Sequence, residues 1–459
     1  MKHIHLIGIG GTGLSAIALL LKQRGYTVSG SDRTLSPLAR QLSAQGVTVY
    51  AGHDAQNVVQ ADLVVRSSAI PDDNPEVLAA EAAGIPVLKR SEFLGQLMEG
   101  SRGIAIAGTH GKTTTTAMVA WIFSRLGQEP SYIIGGVAKN LGNNAQAGSG
   151  PVFVIEADEY DNMFLGLTPE VEVVCTLEHD HPDCFPTKES YNAAFIQFVQ
   201  RLEPNGLLLV CADDKGASWL GKNHGRSDIQ CQTYGTHADA DYRAEDLMPN
   251  QRGGFDFTAV YHGDKLAIVS LQVPGEHNAL NALAALAVAH SQNLPLDQAA
   301  DALAEFEGTG RRFEVLGEAH QIVVVDDYAH HPTEVRATLA AARARYPGRR
   351  LWAVWQPHTY SRTVTLLEDF IAALKLADQV VVTEVYAARE HGQGFSSAAI
   401  VESMQHPAAY FAPTLPAATE YLLEQLQPGD VLLVLSAGDA DQISAAVFAE
   451  LKSVEDSHA

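Results

Sequence analysis

Short apolar runs alternate with longer amphipathic stretches along most of the chain, the pattern of buried parallel strands joined by covering helices. The first series predicts strands at His3–Ile7, Thr27–Ser31, Leu63–Arg66 and Ile85–Leu88, with helices at Leu14–Leu21 and Asn74–Ala83. At Gly103 the series restarts, and strands follow at Val152–Ile155, Val171–Cys175 and Gly206–Cys211. Between Tyr242 and Val273 the period changes to strict alternation, as in a half-exposed antiparallel layer. An alanine-rich helix opens after Pro274, and a helix from Leu296 to Phe306 ends at a glycine hinge, Gly308-Thr309-Gly310. Beyond it, strands at Ile322–Asp326, Leu351–Trp355, Gln379–Thr383 and Val431–Leu435 are separated by helices at Pro332–Arg345, Thr363–Leu374 and Ala417–Leu426. Only the tail from about Lys452 reads as disordered. The expected class is α/β in three domains: 1–98, 99–309 with a parallel or mixed sheet, and 310–459.

Composition narrows the partners. The chain carries 31 Lys+Arg against 54 Asp+Glu, a formal net charge of -23, so nucleic acid and anionic membrane surfaces should repel it. No apolar run is long enough to span a bilayer, and the first residues lead straight into a strand, which predicts a cytoplasmic protein without membrane insertion. Cys175, Cys184, Cys211 and Cys231 show no paired spacing, so neither a zinc site nor a disulfide framework is expected.

An anionic ligand must therefore be held by local groups, and two glycine-rich turns offer them. In Gly108-Thr109-His110-Gly111-Lys112-Thr113-Thr114, an apolar strand meets a helix through glycines, a lysine and hydroxyls. Such a loop presents backbone N–H groups and a helix N-terminus to phosphates, a lysine charge to the outer ones and a hydroxyl to Mg²⁺. The usual spacing is not kept, since Ile106 stands five residues before Gly111. Earlier, Gly8-Ile9-Gly10-Gly11-Thr12-Gly13 precedes a helix, and Asp32 ends the second strand, where a dinucleotide fold places its ribose-binding acid. Acidic and histidine residues follow two central strands, Glu156 to Asp161 and Glu178 to Asp183, at the edge where parallel sheets bind ligands. Arg311-Arg312 after the hinge reads as a mobile phosphate clamp.

Taken together, the two glycine turns, Glu156-Ala157-Asp158-Glu159, Asp180-His181, His277-Asn278 to Asn281, Gly310 to Phe313, Asp326 to Thr333 and Gln356 to Thr363 resemble the Mur ligases over nearly the whole chain. More narrowly, they resemble the branch that joins L-alanine to UDP-N-acetylmuramate in peptidoglycan synthesis. The resemblance implies a Rossmann-like first domain for the UDP-sugar, a central P-loop ATPase-type domain, and a Rossmann-like third domain that closes over ATP and brings the amino acid. Carried over, Gly108, Thr109, His110, Gly111, Lys112, Thr113 and Thr114 would cradle ATP, with Asn278, Asn281, Arg312 and Asp327. Thr113 and Glu156 would hold one Mg²⁺ and His181 a second, and Lys112, Glu156, His181 and Arg312 would act in catalysis. Gly10, Gly11, Gly13, Asp32, Ser67 and Ser68 would bind the UDP-sugar; Tyr328, His358 and Arg362 would frame the amine. A monomer or weak homodimer is implied.

The sequence departs from the family pattern at Ser436, where relatives commonly have glycine, and shares Glu159-Tyr160-Asp161 with the family's peptide-recycling ligase. No lysine stands clearly where some relatives place a carbamylated one. That recycling activity is the nearest alternative. A dehydrogenase would explain Gly8 to Asp32 but leave the second loop without a use, and a nucleotide-dependent switch would need neither amine nor ligation.

Overall fold

The computed structural model describes residues 2–388, 390 and 394–458. Its first sheet runs in the order Thr48–Ala51, Thr27–Asp32, His3–Ile7, Leu63–Arg66, Val87–Lys89, every pair parallel. The last strand begins at Val87 instead of Ile85 because Pro86 has no N–H to give; only its carbonyl joins the ladder, accepting from Val64 N. The edge strand Thr48–Ala51, exposed at three of its four residues, was not expected.

The central sheet has ten strands. Arg102–Ala107 lies between Val171–Val174 and Val152–Glu156, parallel to both. The register sets Ile106 beside Glu156 and Ala107 beside Val174, so Gly108, Glu156 and Cys175 emerge together at one edge. Tyr242–Pro249, Phe255–Tyr261 and Asp264–Ser270 form the expected antiparallel layer at one end. Ser131–Ala138 and Asn143–Gln146 close the other, and neither they nor Gln230–Gly235 were anticipated. Helix Lys112–Arg125 is buried on nearly every side and packs against the alanine-rich helix Glu276–Ser291, whose small side chains let the two backbones approach.

The third sheet runs Glu314–Ala319, Ile322–Asp327, Val431–Leu435, Leu351–Trp355, Gln379–Thr383, Ala409–Ala412, with apolar clusters on both faces. It departs from a purely parallel unit: Glu314–Ala319 pairs antiparallel with Ile322–Asp327 through a two-residue turn, His320-Gln321, both at positive φ. Such a turn suits a hairpin, but this pair lacks the usual Asn or Gly signal. The helix expected over Thr363–Leu374 is two, Tyr360–Thr365 and Leu367–Leu374, broken at Leu366. The expected disordered tail is also corrected: helix Asp441–His458 continues through it, held by Ile443, Val447, Phe448 and Leu451 against the sheet. Among the described residues all four cysteines are free thiols, and no helix is long and apolar enough to cross a membrane.

Candidate active site

The glycine turn after Arg102–Ala107 is shaped by close approaches that exclude side chains. Gly108 has φ 129° and a Cβ there would meet Thr176 N at 2.8 Å; Gly111, φ 85°, would meet Asn281 Oδ1 at 2.7 Å. Gly111 caps helix Lys112–Arg125, so its first N–H groups face the turn. Thr109 ties the turn to the neighbouring strand end, donating from Oγ1 to Glu178 O and accepting from Glu178 N. Lys112 folds back: its ammonium donates to Thr109 O at 3.2 Å and lies 2.9 Å from Glu159 Oε2.

Thr113 Oγ1 donates to Glu156 Oε1 at 3.0 Å, and Gly135 N donates to Oε2 at 2.6 Å. Burial pushes the Glu156 carboxyl up, opposed by Lys112, Gly135 and Arg312. Gly135 sits in an unanticipated strand, and a Cβ there would stand 2.6 Å from both carboxylate oxygens. The adjacent glycines Gly135-Gly136 were the available signal. His181 lies not with this pair but against Glu159 Oε1 (3.7 Å) and Asp180 Oδ2 (3.8 Å), held at φ 54°. The Thr113 hydroxyl and the Glu156 carboxylate are oxygen donors of the kind Mg²⁺ takes; apart from them, beside His181, Glu159 Oε2 has no hydrogen-bond partner among the described residues and offers a further oxygen donor, so these residues fit Mg²⁺.

The third domain reaches in through Arg312, flanked by two left-handed residues, Arg311 (φ 56°) and Phe313 (φ 45°). The two arginines divide their roles. Arg311 is fixed to Asp326 (3.0 Å) and to the carbonyls of Ser436 and Gly438, whereas Arg312 faces the cavity beside Glu334 (3.5 Å). Both guanidinium groups lie over the Tyr328 ring, at 5.3 and 5.1 Å from its centre. Asp327 accepts from Phe313 N and Ala329 N, and burial raises it to about 6 against the pull of Arg312. Arg362 crosses to the central domain: Nε and Nη2 donate to Asp180 Oδ1 at 3.0 and 2.8 Å, and Nη1 meets His358 Nδ1 at 2.9 Å. The His358 ring stacks on Tyr386, 5.8 Å between centres. Ser436 accepts from Gly438 N and donates to Gln356, a role glycine cannot fill.

A cavity of about 410 Å³ lies between the central and third domains, lined among others by Gly111, Thr114, Asn278, Asn281, Arg312 and Asp327. Asn278 donates to Pro274 O and accepts from Asn281 Nδ2. Burial lowers neighbouring His277 to about 4. Tyr234, Gln272 and Arg345 also line it. They come from distant elements with no shared motif, so nothing local announced them.

In the first domain the glycine turn and the expected ribose acid hold one another, Gly10 N donating to Asp32 Oδ2 at 2.9 Å. Gly11 caps the helix that follows, and Ser67 and Ser68 form a turn at the end of Leu63–Arg66. Gly13 packs onto the Arg90 guanidinium so closely that any side chain would overlap it. Arg90, missed from sequence, is 3.6 Å from Asp158 of the central domain. A smaller hollow of about 80 Å³ has Thr12, Gly13 and Arg90 on one side and Gly135, Glu156 and Asp158 on the other. It joins the glycine turn of the first domain to Glu156.

His110 links central and third domains. Burial would lower it, but hydrogen bonds to Glu178 and Glu334, each 3.2 Å, raise it to about 9. With His331 and Glu178 it brings three ligand-type atoms within 4.8 Å, yet as imidazolium it already satisfies both carboxylates. Because the folded value lies above the ordinary 6.5, this link is fully present below pH 6.5 and is lost as pH rises through about 9. Scattering-derived radius of gyration should therefore rise from pH 7 to 10, and His110→Gln should flatten that response; a wild-type radius constant with pH would contradict it.

Comparison with known proteins places this geometry. Residues 3–102 match the "Mur ligase family, catalytic domain" model, 106–289 the "Mur ligase middle domain", and 311–438 the "Mur ligase, glutamate ligase domain". A UDP-N-acetylmuramate--L-alanine ligase of Geobacter sp. (strain M21) is 42% identical, covering 100% of this chain and 99% of its own length. The crystal structure of the UDP-N-acetylmuramate-alanine ligase of Thermotoga maritima superposes with TM-score 0.84 at 31% identity, over 99% of this chain and 100% of that one. A murein peptide ligase of Psychrobacter arcticus superposes with TM-score 0.73 at 27% identity, over 98% and 99%. With three successive domain models matched and a relative of this identity along its whole length, the chain belongs to the Mur ligase family.

Proposed function

We propose that this Mur ligase joins L-alanine to the carboxylate of UDP-N-acetylmuramate at the expense of ATP. Amide formation from a carboxylate in water is uphill, so the carboxylate oxygen first attacks the γ-phosphorus, ADP leaves, and an acyl phosphate forms. The amine then attacks the acyl carbon, and phosphate departs. Three anionic groups meet in the first step, and their charge must be neutralised while the reacting oxygens are held in line. Lys112 moves from its loop carbonyls to the outer phosphates, and Arg312 reaches the γ-phosphate when the third domain closes. Thr113 and Glu156 would hold one Mg²⁺ and His181 a second, and the two would supply further neutralisation of phosphate charge. Asn278, Asn281 and Asp327 serve the nucleotide in the larger cavity. Gly10, Gly11, Gly13, Asp32, Ser67 and Ser68 serve the UDP-sugar, and Tyr328, His358 and Arg362 the amine. The working division is 1–98, 99–309 and 310–459.

The observation that carries this reading is the small hollow between Gly13–Arg90 and Glu156, which lets a sugar-linked carboxylate held by the first domain approach the phosphate site. The test is product formation from UDP-N-acetylmuramate and ATP with equal concentrations of L-alanine, glycine, L-serine and the L-alanyl-γ-D-glutamyl-diaminopimelate tripeptide. L-alanine should be preferred, with glycine slower by about 1 to 3 kcal/mol of lost methyl burial. Preference for the tripeptide would assign the recycling activity instead, and ATP turnover independent of any amine would favour a switch.

A further inference from the structure

We propose that Glu159 is a positioning carboxylate that exchanges partners during the cycle: it holds Lys112 before nucleotide binds, and with His181 it holds a divalent cation once Lys112 has moved to the phosphates. This rests on the two-cation, ATP-dependent reading above. Glu159 is fully buried just beyond the end of strand Val152–Glu156. Its Oε1 accepts from Tyr191 Oη at 3.1 Å and from Lys112 Nζ at 3.2 Å, and lies 3.7 Å from His181 Nε2. Among the described residues its Oε2 has only the ionic contact with Lys112, 2.9 Å away. Lys112 is thus its one full positive partner among the described residues, since Arg362 is committed to Asp180.

The charge balance drives the exchange. A lysine drawn onto the outer phosphates leaves a dry carboxylate uncompensated, at the moment when several phosphate charges arrive beside it. A buried ion deprived of its partner is strongly destabilising. A cation bound between Glu159, His181 and the incoming phosphate oxygens removes both penalties at once. Tyr191 Oη, which donates to Glu159 Oε1 and lies 3.0 Å from Thr109 Oγ1, holds the carboxylate in place during the change. Nucleotide and second cation therefore bind cooperatively, and one carboxylate serves the empty and the loaded states.

The experiment is Mn²⁺ titration of the full chain, followed by the paramagnetic resonance of the free ion, with and without the non-hydrolysable β,γ-methylene analogue of ATP. Wild type should bind two Mn²⁺ per chain with the analogue and none at Glu159–His181 without it. In Glu159→Gln one ion should remain, and the second should weaken by about 10- to 100-fold. Lys112→Met, which frees the carboxylate permanently, should bind Mn²⁺ there without nucleotide. Both ions bound with wild-type affinity by Glu159→Gln would overturn the role of Glu159, and no nucleotide-free Mn²⁺ in Lys112→Met would overturn the exchange. A single ion in wild type with the analogue would overturn the two-cation reading itself, and this proposal with it.

Discussion

Glu156→Gln is expected to lower kcat on the order of 10²-fold or more while leaving the affinity for UDP-N-acetylmuramate almost unchanged. The substitution keeps size and shape, so it removes charge and little else. Glu156 is buried, accepts from Thr113 Oγ1 and Gly135 N, and is within electrostatic reach of both Lys112 and Arg312. With its one oxygen toward Gly135 N and its NH₂ donating to Thr113 Oγ1, a neutral amide could keep both contacts, but it would hold a divalent cation far less well. The loss then falls on the step in which phosphate charge is redistributed. UDP-sugar affinity is proposed to lie mainly with Gly10, Gly11, Gly13 and Asp32 of the first domain, of which only Gly13 lines the small hollow shared with Glu156. Steady-state kinetics with direct titration of UDP-N-acetylmuramate checks both halves. Near-normal turnover would remove Glu156 from the proposed cation site.

Much of this site was legible because parallel sheets bring ligand-binding residues to strand ends, and strand ends follow apolar runs. Gly108, Glu156 and the Glu178–His181 stretch each come directly after such a run, and the register brings all three to one edge. What escaped notice lies where the signal is not local. Gly135 reaches Glu156 from a strand that pairs with Asn143–Gln146 and Val152–Glu156, but whose own sequence mixes exposed and buried positions and so gives no apolar run. Arg90 acts through packing against Gly13, seventy-seven positions earlier in the chain. Asp327 was foreseen at a strand end, but its two backbone hydrogen bonds depend on how the Arg311–Phe313 segment turns back over it. Glu159 was visible as an acid near the phosphate loop, whereas its pairing with Lys112 and Tyr191 required three elements to be assembled.

Replacement of Arg362 should show whether that side chain serves only the amine or also the closure of the molecule. It is buried, comes from the third domain, and places two donors on one oxygen of Asp180 in the central domain while a third group meets His358. Burial alone would raise the Asp180 carboxyl; His181 and Arg362 instead hold it far below the usual range. Arg362→Ala leaves that carboxylate without its guanidinium, and breaking one side of a buried pair commonly costs about 3 to 5 kcal/mol. Part of this must be met each time the domains close, so kcat should fall by on the order of 10²-fold and KM for L-alanine should rise as well. Arg362→Lys should rescue little, because an ammonium cannot reproduce the planar fork that reaches Asp180 and His358 together. A cycle with Asp180→Asn separates the two roles. If Arg362 works through Asp180, the double variant should be markedly less impaired than the product of the two single effects. Independent, additive losses would instead confine Arg362 to the amine, and would leave closure to the His110 and Arg312 contacts.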